Sequence, residues 1–164
     1  MKQLFLLRHA KSSWDDAGLA DRDRPLAPRG RRATKAMARH LRDEEISPSL
    51  VLCSAARRTR ETLEGVDPRG EAKIEDELYG ASETELLERL REVPDATESV
   101  MLIGHNPAIH ELALSLAGGG ERRADMERKF PTGALATLTV PDHWRELEPG
   151  SAELVAFVTP KELR

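Results

Sequence analysis

Three short apolar runs, each stopped by a polar or charged group, restrict this 164-residue chain more than any other feature. Leu4-Phe5-Leu6-Leu7 ends in Arg8-His9, Leu50-Val51-Leu52-Cys53 ends in Ser54, and Val100-Met101-Leu102-Ile103 ends in Gly104-His105. Apolar runs without alternation suit strands buried on both faces, the condition of a parallel sheet packed between helices. Ligands of open α/β sheets bind beyond the carboxyl ends of the strands. If the three strands are neighbours, Arg8, His9, Ser54, Arg58 and His105 converge on one edge.

The intervening segments read mostly as helices. Pro25 and Pro28 lead into a helix from about Arg29 to Glu44, with Ala33, Met37 and Leu41 on one apolar face. An arginine-rich helix follows Ser54 to about Gly65, and Arg58 and Thr62 share a face of it. A third helix spans about Glu83 to Glu92, and a fourth runs from Pro107 to about Ala117, stopped by Gly118-Gly119-Gly120. A weaker strand is expected near Ala72 to Ile74, and two β-rich segments, Ala134 to Val140 and Glu153 to Val158, close the chain. Strand and helix alternate, so the class is α/β with a largely parallel sheet. No linker interrupts the chain, which is expected to form a single domain over residues 1–164.

Composition narrows the partners. The formal net charge is −4, against nonspecific binding of nucleic acid, which needs a basic surface. Locally, Arg8, Lys11, Arg22, Arg24, Arg29, Arg57, Arg58 and Arg60 crowd the first part of the chain. They read either as solvated surface or as a focus of positive field on an anion. The single cysteine, Cys53, allows no intramolecular disulfide. No run is long enough for a membrane span or a signal-peptide core, so the expected location is cytoplasmic, with no membrane partner.

Each candidate has a plainer alternative. Arg8-His9 alone could be a surface cap on a strand. Asn106 is a favoured helix N-cap and Pro107 a favoured first helical residue, which sets His105 at a helix N-terminus suited to an anion. Equally, Asn106-Pro107 could be a tidy helix start with His105 a bystander. Cys53 is not a cysteine-phosphatase nucleophile, because the arginine needed six residues later is replaced by Thr59; it reads as a small buried hydrophobe. His105 and His110 are five apart, the wrong interval for one helical face. No Cys or acidic partner completes a ligand set, so neither metal nor cofactor is expected. The remaining sum is imidazoles, guanidiniums and a helix terminus. Guanidinium forks match phosphate oxygens, and a neutral imidazole is a competent nucleophile.

FLLRHAKS, SAARRTRET and IGHNP, in that order, resemble the histidine phosphatase superfamily, also called phosphoglycerate mutase-like. The DRDRPLAPRG and FPTGALATLTV segments and the short length resemble its small bacterial branch, the phosphohistidine phosphatases of the SixA type. The resemblance covers Leu4 to about Val140 and implies a three-layer α/β/α sandwich, mostly parallel, with one antiparallel edge strand. It implies that His9 is the phosphorylated nucleophile, that Arg8 and Arg58 hold the phosphoryl oxygens, and that His105 is the second pocket histidine. Arg24 would lie near the phosphate.

Ala10 stands where the superfamily often has Gly, and Ala55 where many members have Pro; neither departure removes a charge. Phosphomonoesterases of the superfamily use a carboxylic acid to protonate the leaving oxygen. Glu77 is the nearest candidate by position, or else one more exposed acid. A phosphohistidine substrate would need no strong acid. The implied partner is a phosphorylated protein bearing phosphohistidine, or a small phosphorylated substrate. The competing readings are a small-molecule phosphomonoesterase and a noncatalytic phosphate-binding module; a mutase is disfavoured because the chain has little insertion to hold a sugar acid. Trp14 either shapes the mouth of the pocket or simply packs.

Overall fold

The computed structural model describes residues 2–163. Its centre is a seven-stranded sheet made of β1 (Lys2–Arg8), β2 (Leu50–Ser54), β3 (Glu71–Glu75), β4 (Ser99–Gly104), β5 (Ala117–Gly119), β6 (Leu135–Val140) and β7 (Ala152–Val158). The order across the sheet is β3-β2-β4-β1-β6-β7-β5. The three strong apolar runs are therefore neighbours, with β4 between β2 and β1, all parallel. In register, Arg8 faces Gly104 and Cys53 faces Ile103, so the three strands stop level with one another.

Among the described residues, β6 alone runs against its neighbours. It is antiparallel to both β1 and β7, whereas β5 pairs parallel with β7. The antiparallel strand thus lies inside the sheet rather than at its edge. The chain turns back after β6 to lay β7 beside it, and β5 takes the outer position.

The helices are α1 (Pro28–Asp43), α2 (Arg57–Val66), α3 (Glu83–Arg91), α4 (Ala108–Leu116) and α5 (Arg123–Arg128). Pro28 opens α1, where its missing N–H costs no hydrogen bond. The buried face of α1 is Gly30, Thr34, Met37, Ala38 and Leu41, a stripe shifted slightly from the expected one. Ser82 and Glu85 form a reciprocal capping box at the start of α3.

Side chains alternate across a strand, and the two cores follow that alternation. Phe5, Leu7, Val51, Cys53, Met101 and Ile103 pack with Met37, Leu41 and Val66 of α1 and α2. Leu4, Leu6, Leu52, Val100 and Leu102 pack with Leu86, Leu90, Ile109 and Leu112 of α3 and α4 on the other face. This is a three-layer α/β/α arrangement, and it explains why the three runs are apolar at every position.

Two segments differ from the sequence reading. Gly118 and Gly119 do not simply stop α4; with Ala117 they form the edge strand β5. The helix α5 was not anticipated, because its six residues carry little apolar periodicity and Met126 is the buried one. Among the described residues, no helix is long and apolar enough to cross a membrane.

Candidate active site

The level strand ends build a pocket floor. The backbone N–H of His9 donates to Gly104 O at 3.0 Å, which ties the residue after β1 to the end of β4. The N–H of Ala10 donates to Thr62 Oγ1 at 3.0 Å, and that hydroxyl donates to Arg58 O at 2.7 Å. The segment carrying His9 is thus locked to the helix carrying Arg58. Gly133 N–H reaches the carbonyls of Arg8 and His9 at 3.1 and 2.9 Å from the other side. Gly133 has φ +76°, a conformation favourable to glycine, and a Cβ there would sit 2.8 Å from Pro160 Cγ. Gly30 packs against the segment that follows β1 so closely that a Cβ would stand 2.1 Å from Lys11 O.

His9 is buried, with 7% of its surface exposed. Its Nδ1 lies 2.7 Å from Ala10 O. A carbonyl can only accept, so Nδ1 carries the proton and Nε2 carries the lone pair. Nε2 has no hydrogen-bond partner among the described residues and is not among the atoms cut off from solvent. The His105 ring lies 5.4 Å away, tilted by 55°. Its Nε2 is 2.8 Å from Ser54 Oγ, while its Nδ1 is buried without a partner.

The four buried, unpartnered side-chain atoms among the described residues are Arg8 Nε, Arg58 Nε, His105 Nδ1 and Asn106 Oδ1. Buried polar atoms are rarely left unpaired. Here all four belong to residues at or beside the converging strand ends, and two are obligate donors. An oxyanion would supply the acceptors they lack.

Arg58 is oriented by a carboxylate that the sequence reading overlooked. Its Nη1 donates to Asp21 O at 2.8 Å and its Nη2 to Asp21 Oδ2 at 3.0 Å. Tyr79 donates its hydroxyl to the same Oδ2 at 2.6 Å and sets its ring edge-on to His105. Arg8 Nη1 and Asn106 Nδ2 both donate to Phe130 O, at 3.1 and 3.0 Å. Asn106 is therefore not a side-chain cap for α4; its amide is turned to the Phe130 carbonyl, and the helix begins after Pro107 without a side-chain cap. A signal for Asp21 existed in principle, since a half-buried arginine cluster calls for a counterion, but nothing in spacing singles out one carboxylate among 29 acidic residues.

Arg24 is buried and points its Nη1 to Ser12 Oγ and its Nε to Asp21 Oδ1, while its guanidinium lies 3.6 Å over the exposed Trp14 ring. It joins the site through Asp21. Glu77 is exposed on a 3₁₀ turn, Asp76–Leu78, and lines a separate groove with Glu75 and Arg89. The structure does not bring it to His9. Cys53 is fully buried, and burial pushes its thiol up to about 12. Among the described residues, no group of three or more His, Cys, Asp or Glu side chains is placed to hold a metal ion.

Electrostatics favour an unprotonated imidazole. Burial, reinforced by His105, Arg58 and Arg8, outweighs the hydrogen bond to Ala10 and lowers His9 to about 3. Burial and Arg58 lower His105 to about 4. The Arg8 guanidinium is itself pushed down, first by burial and then by Arg58. Asp21 is held down at about 2, chiefly by the Tyr79 hydroxyl and then by Arg58.

These shifts predict an acid-sensitive fold. Both histidines bind protons less readily folded than unfolded, where a value of about 6.5 applies. Their contribution is intact above pH ~6.5 and is lost as pH falls to about 4 for His105 and about 3 for His9, because the unfolded chain protonates first. Asp21 loses its contribution only below pH ~3.8. Thermal melts between these limits should show a falling midpoint, and the slope should shrink in a His9→Gln/His105→Gln variant; an unchanged slope would contradict the assignment.

Residues 4–94 match the family model described as "Histidine phosphatase superfamily (branch 1)". An uncharacterized protein of Mycobacterium tuberculosis is 41% identical over 159 residues, spanning 94% of this chain and 100% of that protein. Phosphohistidine phosphatase SixA of Escherichia coli K12 is 27% identical over 144 residues, 84% of this chain and 85% of that one. The structure of a protein assigned as a SixA phosphohistidine phosphatase, from Nakamurella multipartitia, superposes with a TM-score of 0.86 at 31% identity, covering 97% and 96% of the two chains.

Proposed function

This chain belongs to the histidine phosphatase superfamily, branch 1, and is a phosphatase; on that premise we propose that it hydrolyses phosphohistidine through a covalent intermediate on His9. The neutral Nε2 attacks phosphorus in line, and the bond from phosphorus to the substrate's ring nitrogen breaks. The new phosphoimidazole carries positive charge, which the Nδ1–H donated to Ala10 O disperses. Water then attacks phosphorus, and Nε2 leaves with its electron pair. Arg8, Arg58 and His105 stabilise the equatorial oxygens.

The observation that supports a nitrogen leaving group is the state of the nearby carboxylate. Asp21 is the acid hydrogen-bonded to the arginine clamp, and at about 2 it holds no proton to donate at neutral pH. Glu77 lies in another groove. An alkoxide leaving group needs general acid help worth roughly 10²–10⁴-fold. An imidazole whose second nitrogen is protonated leaves neutral and needs none.

The test compares single turnovers of a phosphohistidine peptide and an alkyl phosphomonoester. The peptide should be favoured by at least about 10²-fold in kcat/KM, and Glu77→Gln should change neither rate by more than about twofold. Comparable rates on the two substrates, with the ester rate depressed by Glu77→Gln, would instead establish a phosphomonoesterase. Stoichiometric binding without turnover of either would establish a phosphate-binding module.

A further inference from the structure

We propose that the cavity on the α3/α4 side of His105 is a subsite for a lysine or arginine side chain flanking the phosphohistidine of a polypeptide substrate. This rests on the phosphohistidine reading above and names the sequence context that the enzyme prefers.

The cavity holds about 330 Å³, and its walls include Leu78, Leu86, Leu102, His105, Glu83 and Glu111. His105 is also part of the converging strand ends, 5.4 Å from the His9 ring. Successive Cα atoms are about 3.8 Å apart, so residues one or two positions from a phosphohistidine held over His9 can reach past His105. The leucine walls suit the methylene stem of a long cationic side chain, whose charged head needs a polar exit.

Glu83, in the first turn of α3, and Glu111, in the first turn of α4, supply that exit. Neither carboxylate makes an ion pair or hydrogen bond within the described chain. By contrast, Asp21, Glu61, Glu75 and Asp125 are each taken up by arginines. The site is thus polar in the electrical sense. Arginines gather at the phosphoryl end, and unpaired carboxylates stand beyond His105. A segment carrying a phosphoryl anion next to a lysine or arginine has the complementary order of charge. The competing role for the two acids is to complement the helix N-termini. That role gives no discrimination between peptides.

The experiment uses three phosphohistidine peptides, flanked on both sides by lysine, by norleucine or by glutamate. Norleucine keeps the stem and removes the charge. The wild-type enzyme should prefer lysine over norleucine by about tenfold in kcat/KM, with glutamate poorest, and the preference should shrink in high salt. In the Glu83→Gln/Glu111→Gln variant the lysine-to-norleucine ratio should fall towards one. The Glu83→Lys/Glu111→Lys variant should favour the glutamate peptide. If a double variant does not fold, each single substitution should lower the ratio part-way. Equal rates on all three peptides with wild-type enzyme overturn the subsite alone, as does a ratio that survives in the variants. Hydrolysis of para-nitrophenyl phosphate without hydrolysis of any phosphohistidine peptide overturns the phosphohistidine reading and the subsite together.

Discussion

A His9→Ala enzyme should lose kcat/KM by at least about 10⁴-fold, the scale seen when a covalent nucleophile is removed. The reason is local. The bond from Nδ1 to Ala10 O fixes one tautomer, and burial, reinforced by His105, Arg58 and Arg8, keeps the ring neutral far below physiological pH. His105 is not placed to replace it, because its Nε2 is turned to Ser54 and its Nδ1 is buried. The wild-type enzyme, quenched during turnover, should carry phosphate that is labile in acid and stable in alkali, as expected of a phosphoramidate. Acid-stable phosphate on the protein, or a His9→Ala enzyme of near-normal rate, would rule out the covalent route.

Loss of the Arg58 side chain should be the second largest effect. Arg58→Ala is expected to lower kcat by about 10²–10³-fold, by analogy with loss of an oxyanion donor. Arg58→Lys should rescue little, since a single ammonium cannot span Asp21 and a phosphoryl oxygen in the way a planar fork does. The substitution also strands Asp21, whose carboxylate is then shared by Tyr79 and Arg24 alone. In a double-mutant cycle with Asp21→Asn, the two changes should therefore cost less together than the sum of their separate effects. Strict additivity would mean that Asp21 does not orient the clamp.

Much of the architecture could be read before any coordinates. The three apolar runs carry no alternation because both faces of β1, β2 and β4 are covered, and burial on two faces leaves a direct trace in residue choice. The start of α1 was readable from Pro28, and α3 was expected from about Glu83, where it begins. The strand β5 and helix α5 were not, because a glycine-rich edge strand and a six-residue helix leave too little periodicity to register. The place of β6 inside the sheet was also beyond reach, since strand order is set by pairing between segments far apart in the chain.

The candidate site divides along the same line. His9, Arg8, Arg58 and His105 stand at strand ends or one helical turn beyond, so position along the chain made them candidates, and the resemblance of the ordered motifs, not position, set them above a surface cap or a helix start. Asp21, Tyr79 and the Phe130 carbonyl come from loops with no periodic signal, and Glu77 lies close to Tyr79 in sequence yet faces another groove. Sequence by itself determined which residues are apolar, which strands are doubly buried and which charged groups follow them, because those are consequences of local composition and period. Only the tertiary structure decided which carboxylate orients the clamp, which nitrogen of His9 is free and which donors remain unpaired. Those are set by distances of a few ångströms between segments far apart in the chain, and one sequence carries no local record of them.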